Sequence, residues 1–356
     1  MKYLPPNFGI QPQLKIVQIQ PTNSCNLNCI FCDHRKPINE VPLSVWKKVA
    51  REIRILEPAK VTITGGGEPM VAGEKTIAIG EEIKRNPNIV GDIVSNGTLF
   101  NEKQIKKLIR IQWDNLTFSI HSPIFEVDNF LRGKKGAFEA TIKTVKLIND
   151  LKKRYKSSLP KLSFIMVITR YNYNHVEKMI KLAAELNLNS VCLRLVNENP
   201  SLGIKVFPTE IQMKELMKEI DRAKKTASEL HVDLFTEFSD EVFLKKRKRK
   251  EREKKESVYC TVPFFEAVIF SDGIVTPCCL FYTREGMKDN FFKENIKTKS
   301  LKSIWYGKTF NLFRMKMIKN EPLDLCLHCT PDSRYKHEIW FKYTKKKEVS
   351  ELKRLL

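Results

Sequence analysis

The sequence predicts an α/β protein, a partial barrel of six β/α units followed by a small α+β unit, and three observations carry that expectation. Apolar runs of strand length alternate with helical patterns from residue 14 to residue 230, which is the signature of a parallel sheet covered by helices. A charge run without core-facing apolar positions, KKRKRKEREKKE at 245–256, then interrupts the chain and marks a linker or a solvated helix. Beyond it lie a hairpin signal and a second group of cysteines. Six β/α units suggest an incomplete barrel, although a doubly wound open sheet fits the same alternation.

The first strand is KIVQIQP (14–20), which runs directly into a cysteine-rich loop. The later strands are KVTIT (60–64), NIVGDIVSN (88–96), NLTFSIH (115–121), KLSFIMVIT (161–169) and SVCLRLV (190–196), all rich in β-branched and aromatic residues. The helical patterns between and after them span 44–56, 73–86, 102–112, 137–155, 175–187 and 209–230. FFEAVIF and IVTP, separated by Ser271-Asp272-Gly273, read as a hairpin, and a helix follows over about 300–318. The expected organisation is a barrel at 1–238, a basic segment at 239–256, a second domain at 257–335 and a basic C-terminal helix at 336–356.

Composition bounds the function classes. With 356 residues, 42% of them hydrophobic and 29% charged, the chain is an ordinary globular protein. It has no run of apolar residues long enough for a membrane span, and MKYLPPNFGIQPQ lacks the apolar stretch of a signal peptide. The expected location is the cytoplasm. A net charge of +22 would attract anionic partners such as RNA, anionic lipid or phosphorylated molecules. Nine cysteines in a cytoplasmic chain point to metal ligation or catalysis rather than disulfides.

Cys25, Cys29 and Cys32 lie in NSCNLNCIFCDH, a C-x3-C-x2-C triplet directly after the first strand. Thiolates suit iron–sulfur clusters, which normally take four of them, so three from one loop leave one iron open. A zinc site completed by a ligand such as His34 is the other reading of these residues. The triplet resembles that of the radical S-adenosylmethionine (SAM) superfamily. In that family the open iron is chelated by SAM, and the reduced cluster cleaves SAM to methionine and a 5′-deoxyadenosyl radical.

Further motifs extend the resemblance over roughly residues 15–235. Strand KVTIT ends in Gly65-Gly66-Gly67-Glu68-Pro69, similar to the family's GGEP motif, whose backbone binds the amino group of SAM while Glu68 would shape the loop. Ser95-Asn96-Gly97-Thr98, Ser119 and Arg132 are similar to the strand-end residues that hold the ribose and carboxylate of SAM. The resemblance implies that Asn96 and Ser119 contact the adenosyl group, with Arg132 on the carboxylate, and that Phe31 packs near adenine. Arg194 and Asn172 are further candidates for the cavity. His121, at a strand end and titrating near neutrality, is the candidate for proton transfer.

The second group is Cys260, Cys278-Cys279 and Cys326-x2-Cys329. Its spacing resembles a twitch domain, the reduced form of the SPASM domain, and implies one auxiliary four-iron cluster on Cys260, Cys278, Cys326 and Cys329, with Cys278 preferred to Cys279. Two 4Fe-4S clusters and SAM are thus the expected cofactors, and a flavodoxin- or ferredoxin-type donor the expected reductant. Hydrogen-atom abstraction from a peptide or a small polyol or sugar is the expected chemistry. The competing class is a basic zinc or iron–sulfur module that binds nucleic acid without SAM chemistry.

Overall fold

The structure is a computed structural model that describes residues 12–32, 39–196, 204–236, 260–282, 291–319 and 321–327. The basic run, the expected C-terminal helix, His34 and Cys329 lie outside these residues. The barrel strands are β1 (Ile16–Ile19), β2 (Lys60–Ile63), β3 (Val90–Ser95), β4 (Asn115–Ser119), β5 (Lys161–Ile168), β6 (Ser190–Leu195) and β7 (Asp233–Thr236). The helices among them are α1 (Leu43–Leu56), α2 (Gly73–Ile83), α3 (Glu102–Arg110), α4 (Phe125–Leu131), α5 (Ala137–Arg154), α6 (Val176–Glu185) and α7 (Glu210–Glu229).

Neighbouring strands in this part of the sheet are neighbours in sequence, running β7-β6-β5-β4-β3-β2-β1, and every pair is parallel. An order that never reverses places every crossover helix on one face, whereas a doubly wound sheet must reverse. Packing agrees, because α1 lies against α2, α2 against α3, α3 against α5 and α6 against α7. The partial barrel is therefore the fold, and the open doubly wound sheet is excluded.

Each strand has two unlike faces. Val17, Ile19, Val61, Ile63, Ile93, Leu116, Phe118, Leu162, Phe164, Met166, Val191 and Leu193 are buried in one core beneath the helices. Gln18, Thr62, Thr117, Ser119, Ser163 and Ser190 alternate with them and are half-buried on the lumen face. Lumen residues pair across strands: Lys60 with Asp92 at 3.1 Å, Thr117 donating to Asp92 at 3.1 Å, and Ser163 with Ser190 at 2.7 Å. The barrel interior is thus lined in part by paired polar side chains, with a small apolar cluster of Val268 and Phe270 beside β1.

Three expectations are corrected. A seventh strand, β7, was not expected; it is a four-residue edge strand with no buried residue, too short for its alternation to register. Helix α4 replaces the expected loop before Arg132. The third is the 300–318 helix, described below. The second domain shares the barrel's sheet. Its strand β8 (Glu266–Ile269) pairs in parallel with β1, and the expected hairpin carries β8 into β9 (Val275–Thr276), so one sheet of nine strands runs through both parts. The amide of Gln18 donates to Glu266 across that seam.

The expected 300–318 helix is two, α8 (Leu301–Trp305) and α9 (Lys308–Ile318), because Gly307 adopts extended backbone as the cap of the second. A short helix, α10 (Asp324–Leu327), carries Cys326. No helix among the described residues is long and apolar enough to cross a membrane.

Close packing sets one sequence choice in β3. A Cβ on Gly91 would lie 2.6 Å from the buried Trp113 ring, so only glycine fits without displacing it. Gly91→Ala is expected to lower the unfolding free energy by about 1–3 kcal/mol, read by urea denaturation. An unchanged midpoint would show that the ring yields freely.

Candidate functional site

The cysteine loop leaves β1 at the C-terminal end of the barrel, where β/α barrels gather their ligands. Its backbone is held from two sides. Asn28 and Ile30 donate to the carbonyls of Arg132 and Leu131 at the end of α4, at 3.3 and 3.0 Å. On the other side Gly67 and Glu68 donate to Thr22 and Ser24 at 3.3 and 2.8 Å. A Cβ on Gly67 would come within 2.1 Å of the Ser24 carbonyl oxygen, so the glycine is required by the cysteine loop itself.

Glu68 is the centre of the arrangement. Its buried carboxylate accepts from the Ser95 hydroxyl at 2.6 Å, the Asn96 amide at 2.6 Å and the Met70 amide at 2.9 Å. Burial raises its pKa, and these three bonds act against that rise. Thus Glu68 shapes the loop, as the sequence suggests, and ties the end of β2 to the end of β3.

The Asn96 side chain is equally committed. It donates to Asn26 Oδ1 at 2.8 Å and accepts from the Thr98 amide and hydroxyl at 3.0 and 2.8 Å, while Asn26 donates to Thr98 at 2.8 Å. Ser95 is buried in the same network, donating to Glu68 and accepting from Gly97. Asn96 and Ser95 therefore anchor the cysteine loop to β3, a task different from the adenosyl contact expected for Asn96. Ser119 is half-buried at the lumen end of β4.

Arg132 has no exposed surface. Its Nη1 donates to Asp128 at 3.2 Å, Ala137 O at 3.3 Å and Thr141 at 3.1 Å, and Nη2 donates to the Asn96 carbonyl. The guanidinium is thus committed to protein groups except at Nε, which is buried without a partner. Gln20 Oε1, 2.9 Å from where a Gly66 Cβ would stand, is a buried acceptor in the same condition. Arg132 Nε and Gln20 Oε1 are thus a buried donor and a buried acceptor without partners among the described residues, the kinds of group that the carboxylate and ammonium of an amino-acid ligand would satisfy.

His121 does not fit the proton-transfer role. It is buried, its Nδ1 accepts from the Val167 amide at 3.2 Å, and the Phe31 ring meets it edge-on at 5.0 Å. Burial, with a contribution from the Arg132 charge, lowers its pKa to about 3. The ring stays neutral at physiological pH and fastens β4 to β5. Asn172 completes that fastening, donating to the His121 and Val167 carbonyls and accepting from Thr169. Arg194 is exposed on β6.

The three thiols of the first group fit an iron–sulfur cluster by their chemistry and mutual proximity. Burial pushes Cys29 up to about 12, with Cys32 and Cys25 adding to the rise, and burial also raises Cys25. Binding cationic iron as thiolates removes that penalty. Leu27 donates its amide to Cys25 Sγ at 3.5 Å. Among the described residues no three His, Cys, Asp or Glu side chains already surround one metal-sized point, so the loop supplies proximity rather than fixed coordination distances.

In the second group Cys260, Cys278 and Cys326 are half-buried and pack on the main core, whereas Cys279 is exposed. Burial raises Cys278, and Cys279 and Cys260 raise it further.

Comparisons with known proteins fall on these two regions. The radical SAM superfamily model matches residues 19–183, and SPASM, an iron–sulfur cluster-binding domain, matches residues 260–330. Residues 19–183 are thus a radical SAM domain and residues 260–330 a SPASM domain. SAM and two iron–sulfur clusters are accordingly its cofactors. An uncharacterised protein of Archaeoglobus fulgidus is 25% identical over 224 residues, covering 61% of this chain and 50% of that protein. The sporulation killing factor maturation protein SkfB of Bacillus subtilis is 24% identical over 273 residues, covering 74% of this chain and 59% of SkfB. The chain thus spans between half and three fifths of these two relatives. Streptococcus suis SuiB bound to SAM matches with a TM-score of 0.67 at 19% identity, over 92% of this chain and 73% of SuiB. SuiB bound to its precursor peptide SuiA matches at 0.66 and 20%, over 85% and 67%.

The sequence missed several supports of this radical SAM site. Glu40 accepts from Thr22 at 2.6 Å and the Asn23 amide at 2.9 Å and pairs with Lys75 at 3.2 Å, bracing the cysteine loop. Nothing local marks it. Asp128 could have been found, because Asp128 and Arg132 are spaced i,i+4 as a helical ion pair.

Glu68→Gln is expected to cost about 1–3 kcal/mol, because one carboxylate oxygen becomes a donor facing other donors; chemical denaturation with and without SAM checks it. For His121 the folded pKa lies below the unfolded value of 6.5, so its contribution to stability is full above that pH and is lost as pH falls toward 3. Wild type should lose stability more steeply than His121→Gln between pH 6.5 and 5, and parallel curves would show that the ring is not held neutral.

Proposed function

We propose that this protein is a radical SAM enzyme that abstracts a hydrogen atom from a peptide substrate, with a small polyol or sugar as the other substrate class. The observation that carries the reading is the Glu68–Ser95–Asn96–Asn26 network, which joins the cysteine loop, the glycine loop and the end of β3 into one cradle. That cradle would hold the cluster and SAM, which would supply reductive SAM cleavage and hydrogen-atom abstraction. Cys25, Cys29 and Cys32 would hold the cluster. Gln20 Oε1 and Arg132 Nε would meet the ammonium and carboxylate of SAM, while Gly65, Gly66 and Ser119 face the same end of the barrel. Phe31 and His121, packed together, would close the SAM site on the β4–β5 side and help to exclude water.

Peptide is favoured because SuiB is seen with a precursor peptide and SkfB is named for maturation of a killing factor. The polar lumen pairs of Lys60 with Asp92 and Ser163 with Ser190 suit a hydrogen-bonding substrate of either class. Cys260, Cys278, Cys326 and Cys329 would hold the auxiliary cluster, which would accept or relay an electron. A flavodoxin- or ferredoxin-type protein would supply the reducing electron, and the +22 charge suits an acidic donor or another anionic partner. Two reducible clusters also suit the cytoplasm. A basic nucleic-acid-binding module without SAM chemistry gives no purpose to the buried cradle.

Anaerobic reconstitution followed by SAM and dithionite should yield 5′-deoxyadenosine, with at least a hundredfold loss in Cys29→Ala (about 3 kcal/mol in barrier). Failure of the iron-loaded protein to bind SAM would sink the reading.

A further inference from the structure

Two arginines among the described residues have no exposed surface, one in each cysteine-bearing part of the chain: Arg132 and Arg314. Their surroundings differ. Arg132 faces the Asp128 carboxylate at 3.2 Å, so beside the first cysteine loop the two charges offset one another. Arg314, on α9, has only neutral acceptors among the described residues. Its Nε donates to Pro263 O at 2.8 Å, and its Nη1 to Trp305 O at 2.8 Å and Asn311 Oδ1 at 2.7 Å.

The guanidinium lies 4.3 Å over the Trp305 ring and 5.3 Å from the Phe310 ring. Its Nη2 is buried with no partner among the described residues. Among the described residues no carboxylate pairs with it, and the one ionisable group acting on it is the Tyr306 hydroxyl. Burial lowers its pKa to about 9, which still leaves it protonated at neutral pH. A buried cation without an anion is among the least favourable arrangements in a protein interior.

The position of Arg314 indicates the missing anion. Pro263, which accepts from Nε, is three residues past Cys260. Phe313, the neighbour of Arg314, packs edge-on at 5.4 Å against Phe281, two residues past Cys279. Trp305, Phe310 and Phe313 around it belong to the large core shared by both parts of the chain, on whose edge Cys260, Cys278 and Cys326 also pack. An iron–sulfur cluster held by thiolates is net negative in both oxidation states and gains a further negative charge when reduced.

We propose that Arg314 is the buried counter-charge of the auxiliary cluster, a positioning residue that raises its reduction potential. The cation favours the more negative reduced state, whereas the Asp128–Arg132 pair adds no net charge beside the first cluster. The difference orders the two sites, with the auxiliary cluster the better electron acceptor. The proposal rests on the assignment of the second cysteine group as cluster ligands.

The test uses the full chain with Cys25, Cys29 and Cys32 changed to Ala, so that only the auxiliary cluster forms, loaded anaerobically with iron and sulfide and titrated by EPR at fixed potentials. Arg314→Met, which keeps an apolar stem over Trp305, should lower the midpoint potential at unchanged iron content, and Arg314→Lys should restore most of it. Loading of Arg314→Lys but not Arg314→Met would also support a requirement for charge. The proposal is overturned by equal midpoints in parent and Arg314→Met, by equal shifts in the Lys and Met variants, or by failure of both to load, which would make Arg314 a packing element. Iron retained at full stoichiometry in Cys278→Ala, made in the same background, would instead refute the ligand assignment.

Discussion

The buried carboxylate of Glu68 is the constraint on which the site depends. It lies at the end of β2, yet its bonds reach Ser95 and Asn96 on the adjoining strand end. Asn96 in turn holds Asn26 inside the cysteine loop, and its carbonyl accepts from Arg132. Strand ends in a parallel barrel are joined by hydrogen bonds only up to the last paired residue, so the loops beyond them need ties of their own. Here a carboxylate supplies those ties because it can accept several bonds at once from backbone and hydroxyl donors. Cysteines twenty residues or more from the other motifs are thereby fixed relative to them.

Much of this organisation is legible in the sequence. The alternation of strand and helix located β1 to β6 and their helices, since each strand presents a continuous apolar face to the core and each helix an apolar stripe. Side-chain roles were less legible. Asn96 and Arg132 stand at positions where the family resemblance implies ligand contact, but in space their polar atoms are mostly engaged by neighbours from other elements. Such partnerships join residues tens of positions apart and leave no local pattern. His121 is the same case: a strand-end histidine reads as titratable, and only its depth in the fold shows that it stays neutral.

The lumen supplies the complementary feature. Helices cover one face of the sheet only, so the other is free to be polar, and Gln18, Thr117, Ser163 and Ser190 occupy it in alternation with core residues. Water-competent pairs such as Lys60 with Asp92 are affordable there without the desolvation cost of a dry core. The polar lumen lining and the buried core are therefore built from opposite faces of the same strands.

The pairing of β8 with β1 has a consequence for how the protein can be divided. β1 would be the boundary of the barrel sheet if the SPASM domain were absent, and it is a short run of Ile16, Val17, Gln18 and Ile19. Cutting the chain between its two domains would expose the backbone donors and acceptors of that strand as an open edge, a ready template for aggregation. The SPASM domain thus serves as the barrel's edge protection, and the two parts are better regarded as one solubility unit than as separable modules.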